Sequence, residues 1–133
     1  NVCRYMIDID IISHSEFFAS VKGQMMLNDI SSNRYEGQVP PGSDNSPKTY
    51  AVAVRGLQNI VAILNMFRNP SLGYEFVAGI TSILLGTSVN VTLNYWDYTD
   101  QSFIQKRIFD FDDWNNFAIA EYFPYLTGDK IYP

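Results

Sequence analysis

Apolar and polar residues alternate most cleanly over positions 88–96, Ser-Val-Asn-Val-Thr-Leu-Asn-Tyr-Trp. Val89, Val91, Leu93 and Tyr95 share one parity; Ser88, Asn90, Thr92 and Asn94 share the other. A strand with one face in a core and one in water has that rhythm. Carried to the end of the segment, the rhythm puts Trp96 on the wet face, with Asp97, Tyr98 and Asp100 directly after it. A large ring aimed at solvent beside hydrogen-bonding groups predicts a contact surface.

The same period runs through 4–12, where Tyr5, Ile7, Ile9 and Ile11 oppose Arg4, Asp8 and Asp10. It returns at Tyr50, Val52 and Val54. Positions 17–27 predict another strand, with Gly23 as a bulge or bend. A short edge strand is expected at 35–39, before a loop at 40–47 that holds three prolines. Positions 74–85 alternate little, as in a strand covered on both faces. Gly86-Thr87 then predicts a hairpin turn into 88–96. Positions 103–111 and 114–123 are aromatic-rich and predict closing strands, with 124–133 as a surface tail.

One stretch breaks the period of two. Leu57, Ile60, Val61, Leu64 and Phe67 recur at helical spacing, and Pro70 supplies a stop. A short helix over about residues 57–68 is expected, its apolar stripe on the sheet or, alternatively, in a membrane interface. Arg68 is the only basic residue in that segment, whereas interfacial helices are usually rich in Lys and Arg on the polar face. No repeat, low-complexity tract or linker is evident. Roughly seven to nine short strands with turn signals between them predict an all-β chain, a single β-sandwich domain over 1–133 with one short helix.

Composition narrows the partners. Of 133 residues, 47% are hydrophobic and only 17% charged, so a sizeable core is available and Asn, Ser, Thr and Tyr supply much of the polar surface. The net charge of -5 gives no basic footprint for nucleic acid and disfavours strongly anionic membranes. Neutral glycans, zwitterionic lipids and other proteins remain as partners, with oligomeric state undetermined. No apolar run approaches the roughly 20 residues of a spanning helix. Secretion is the expected localisation. The start at Asn1 fits a mature form after signal removal, or a cut piece, and Asn90-Val91-Thr92 is a glycosylation sequon on the expected wet face. The single cysteine, Cys3, has no internal partner for a disulfide.

Candidate chemistry is sparse. A Cys3–His14 dyad is conceivable, but a straight strand would hold the two over ~30 Å apart. Asp8 and Asp10 share a strand face, and Asp110, Asp112 and Asp113 form a denser cluster. Either set offers paired carboxylates for acid–base work, or simply solvated residues. The second lacks the glycine and spacing of a calcium loop. No catalytic residue, metal site or cofactor is assigned. The aromatic set of the last third is the positive signal: Tyr95, Trp96, Tyr98, Trp114, Tyr122, Phe123 and Tyr125. The expected ligand-binding residues are Asn94, Tyr95, Trp96, Asp97, Tyr98, Asp100 and Trp114. Alternatively, the rings seal the edge of the sandwich.

A charged first strand at 4–10, the loop Gln38-Val39-Pro40-Pro41-Gly42 and a strand ending in Asn94-Tyr95-Trp96-Asp97 together resemble the aegerolysins and, more distantly, the actinoporin-like cytolysins and fungal fruit-body lectins. The chain departs from the aegerolysin pattern in having no cysteine after the Tyr-Trp-Asp step and no downstream Pro-Trp-Gly. The resemblance implies a compact sandwich that binds membrane lipid or glycan, with Tyr95, Trp96 and Asp97 near the rim. A secreted, non-enzymatic lipid- or glycan-binding protein, in the manner of a cytolysin or toxin component, is the first expectation. A protein–protein module (subunit, inhibitor or virulence adaptor) is the second, and a small carboxylate-dependent hydrolase the third.

Overall fold

A computed structural model describes residues 5–11, 21–35, 47–56, 59–79, 88–113 and 117–128. The chain is all-β with one short helix. In order come β1 (Tyr5–Ile11), β2 (Val21–Met26), β3 (Asp29–Ser31), β4 (Tyr50–Gly56), β5 (Asn59–Ile63), β6 (Met66–Arg68), β7 (Tyr74–Gly79), β8 (Ser88–Asn90), α1 (Gln101–Gln105), β9 (Ile108–Phe109) and β10 (Ile119–Glu121).

The strands form three sheets, ordered β1-β4-β7-β9, β2-β5-β8-β10 and β3-β6. Single bridges extend the third sheet from Met66 to Tyr95 and from Tyr95 to Leu126. Every described pairing is parallel, and no strand pairs with its neighbour in sequence. The chain therefore winds as a solenoid. Each coil lays one rung on each sheet: β1, β2, β3; then β4, β5, β6; then β7, β8, Tyr95; then β9, β10, Leu126.

The two-layer arrangement expected from hairpins is thus replaced by three parallel stacks. The reason lies at the corners. Leu27, Leu64 and Leu93 take φ of 58°, 59° and 60°, so each turns the chain into the next sheet instead of reversing it. The proposed turn at 86–87 lies outside the described residues, but the strands on either side of it, β7 and β8, belong to different sheets.

The helix expected at 57–68 is instead β5 and β6, joined by the Leu64-Asn65 corner. Ile60 and Ala62 point inward with period two; the corner then shifts the phase, and Asn65 and Phe67 are the next buried positions. A strand, a corner and a second strand had imitated helical spacing. Among the described residues the helix lies at Gln101–Gln105, capped by Asp100, where a closing strand was expected. The other closing strand shortens to β10, with 114–116 outside the described residues.

Large side chains stack along the inside. Ile30, Phe67 and Trp96 occupy equivalent rungs, and the Phe67 and Trp96 rings lie 4.8 Å apart at 11°. That distance is the spacing of neighbouring strands, so coil pitch itself sets the ring stack. Val52, Phe76 and Ile108 form a second inward row in register. As the weak alternation predicts, β7 is covered on both faces: Ala53, Val77 and Phe109 pack outside the coil under Tyr74 and Phe117. The bulge expected at Gly23 is present as a register shift, and a Cβ there would sit 3.1 Å from Ile60 Cδ1.

Candidate functional site

Two corners flank the third sheet, and they differ in chemistry. The first is the sequence Leu-Asn, at 27–28, 64–65 and 93–94. A leucine at positive φ costs about 1–2 kcal/mol. It is offset by a ladder. Asn28 donates its backbone N–H (3.1 Å) and side-chain Nδ2 (3.0 Å) to Asn65 Oδ1. Asn65 repeats this toward Asn94 Oδ1, at 2.8 and 3.2 Å. The two Asn65 Nδ2 hydrogens are shared between Asn94 Oδ1 and the main-chain carbonyls of Met25 and Ile63, and those of Asn94 reach the carbonyls of Ala62 and Val91. Asn65 and Asn94 are fully buried. The side chains satisfy the backbone groups that a corner would otherwise leave unpaired.

At the far corner Ser32 and Asp97 hold φ of 61° and 67°. Asn33 donates its N–H and Nδ2 to Asn69 Oδ1, at 2.9 and 2.8 Å. Asn69 in turn donates to Ile30 O and to both oxygens of the buried Glu75. Arg107 meets Glu75 at 3.1 Å and caps the carbonyls of Asn69, Leu72 and Gly73. Asn33 Oδ1 and Trp96 Nε1 are buried and lack a hydrogen-bond partner. Each such group costs roughly 1–3 kcal/mol.

Toward solvent, this corner opens into a cleft of about 310 Å³ lined by Ser32, Asn33, Arg34, Arg68, Pro70, Ser71 and Asp97. Arg68 Nε lies 3.1 Å from Asp97 Oδ1, and its guanidinium carbon sits 5.8 Å from the Tyr95 ring centre. Hydrogen bonds to Tyr95 and Asp97 hold the guanidinium pKa above its ordinary value.

The structure redistributes the predicted site residues. Asn94 is a rung of the buried ladder, and Trp96 is enclosed with no exposed surface. The strand stops at Asn90, and the Leu93 corner moves the inward phase by one residue, from 89 and 91 to 94 and 96. Trp96 therefore forms no part of a docking surface. Tyr95 is half-buried under Arg68, and Asp97 is in the open cleft. Tyr98 is exposed and stacks on Phe103 at 5.6 Å. Asp100 is an N-cap, accepting from the Ser102 N–H and hydroxyl, which lowers its pKa. Trp114, Cys3 and His14 lie outside the described residues.

Of the carboxylates, Asp8 and Asp10 lie on β1 in register with Ala53 and Arg55. Asp110 is buried, accepts from the Ala120 and Asp112 N–H groups, and has its pKa raised, chiefly by desolvation. Asp112 and Asp113 are exposed beside it, on a cleft of about 340 Å³ shared with Ser102, Gln105, Lys106, Ile108 and Tyr122. Among the described residues no group of His, Cys, Asp and Glu is arranged to hold a metal ion.

Sequence reasoning missed Asn33, Arg68, Asn69, Glu75 and Arg107. The available signal was the pattern Leu-Asn-x-apolar at 27–30, 64–67 and 93–96. Equivalent asparagines are 37 and then 29 residues apart, so no fixed period exposes the repeat.

No family model matches the chain, and no solved structure matches it. A stretch of 82 residues, 62% of the chain, is 35% identical to Protein bark beetle of Drosophila melanogaster. The match covers 3% of that protein's length and provides no link to the aegerolysins or actinoporins.

Proposed function

We propose that this chain is a non-enzymatic solenoid module that binds a protein partner through an aromatic ledge on its last turns. The observation carrying this reading is the cluster of rings left at the surface once Trp96 is enclosed. Tyr98 and Phe103 stack beside α1; Tyr122 and Tyr125 stack at 6.4 Å, and Phe123, 68% exposed, meets Tyr125 edge-on. Gln101 donates to the Tyr122 hydroxyl, and the Tyr125 hydroxyl donates to Thr99 O, tying the two groups together. Three exposed rings, Tyr98, Phe103 and Phe123, beside the partly buried Tyr122 and Tyr125 favour protein contact. Parallel stacking supports the module reading, since each coil needs a neighbour on either side. So does a relative many times longer than the matched stretch.

The test compares immobilised wild type with the triple variant Tyr98→Ala/Phe103→Ala/Phe123→Ala. A protein captured from extract by wild type and lost by the folded variant is the expected result. Equal capture by both would refute it. Salt-resistant binding to neutral liposomes that the variant abolishes would instead restore lipid as the partner.

A further inference from the structure

We infer that the side chain of Asn90 carries an N-linked oligosaccharide on the outer face of the second sheet. Asn90-Val91-Thr92 is the chain's one Asn-x-Ser/Thr triplet without proline in the middle. Such triplets recur by chance, so the geometry around this one decides. Asn90 ends β8, where Ser88 and Asn90 are exposed and Val89 between them is enclosed. Side chains of one parity in a strand share a face. Register sets Asn90 in the outward row, with Val61 of β5 on one side and Glu121 of β10 on the other. Glu121 is exposed and Val61 half-buried. A bulky group on Asn90 therefore projects into solvent and displaces nothing inside the coil.

The carboxamide is already turned for the modification. Asn90 Oδ1 accepts from the Thr92 backbone N–H at 3.1 Å and from the Thr92 hydroxyl at 2.8 Å. This is an Asx turn, the side chain bonding to backbone two residues on. Among the described residues, Asn90 Nδ2 donates to no group. The donor substrate is an oligosaccharide linked to a lipid diphosphate. Nδ2 forms a bond to the anomeric carbon, the bond from that carbon to the diphosphate oxygen breaks, the lipid diphosphate leaves, and Nδ2 releases one proton. Oδ1 takes no part, so both bonds to Thr92 persist in the glycosylated chain. The reaction places the chain in the secretory pathway. No ring of the aromatic ledge belongs to this row, so the inference stands or falls separately from the protein-partner reading.

The experiment expresses the 133-residue chain behind a cleavable secretion signal in insect cells. Secreted and cell-retained chains are both mapped by peptide mass spectrometry, because transfer precedes export. A hexose and N-acetylhexosamine addition on the peptide bearing Asn90 is expected, removed by peptide N-glycosidase. Asn90→Gln and Thr92→Ala should each abolish it, and Thr92→Ser should retain it at lower occupancy. The glycosylated chain should unfold in urea at a midpoint no lower than the same sequence made without sugar in bacteria. An unmodified asparagine in wild type, sugar that survives Thr92→Ala, or a glycosylated chain that is unfolded where the bacterial one is folded would each overturn the proposal.

Discussion

The two corners of the third sheet solve one geometric problem in different ways. Both bend the chain at non-glycine residues of positive φ, and both stack carboxamides from coil to coil. At the Leu-Asn corner the same pair of residues recurs three times, and its inner rungs are closed to water. At the other corner the stacked positions Ser31, Arg68 and Asp97 differ from turn to turn, and a cleft opens beside them. Repetition marks the corner that holds the fold. Variation marks the corner whose side chains line an open cleft.

This contrast is sharpest under substitution. Asn65→Ala removes the middle rung: the Asn28 N–H and Nδ2 lose their acceptor and the Met25 and Ile63 carbonyls lose a donor, while Asn94 Oδ1 keeps the backbone N–H of residue 65. A loss of about 2–4 kcal/mol is expected, several buried bonds being broken at once, measured by urea unfolding. Asp97→Ala, on the open side, should leave the unfolding midpoint nearly unchanged, because its ion pair with Arg68 is solvent-screened. Equal destabilisation by the two would erase the distinction between corners.

A second, smaller effect concerns Asp110. Its pKa is raised in the folded chain, so the folded state holds a proton more tightly than the unfolded one. Its contribution is therefore fully present below the unfolded carboxyl value, about 3.9, and is lost as pH rises through the folded pKa. Stability measured across the acidic range should show this decline in wild type, and Asp110→Asn should remove it. A wild-type curve with the same slope as the variant would contradict the burial of that carboxylate. Asp100 has the opposite sign: its lowered pKa gives stability that is lost as pH falls through the folded value.

Strands were legible where the large apolar residues fall at every second position, as in β1 and β4, because the pleat has a period of two. Their arrangement was not. Parallel stacking leaves no local mark, since the partner of Val61 is Asn90, in a different turn of the chain. The phase change at Leu93 was hidden for a further reason: leucine carries no propensity for a left-handed corner. Reading through it reversed the orientation of Asn94 and Trp96. Of the expected site, Tyr98 keeps its exposure and Asp97 keeps a polar, open setting, because both lie where the coil faces water.

The account rests on the inward turn of residue 96, which the Leu93 corner imposes and the Phe67 ring stack secures. Tryptophan emission with acrylamide quenching, in a Trp114→Phe background so that Trp96 is the sole reporter, tests it most directly. A blue-shifted band that resists the quencher until the chain unfolds is predicted. A red, readily quenched band in the folded protein would place the indole in water and contradict the solenoid described above.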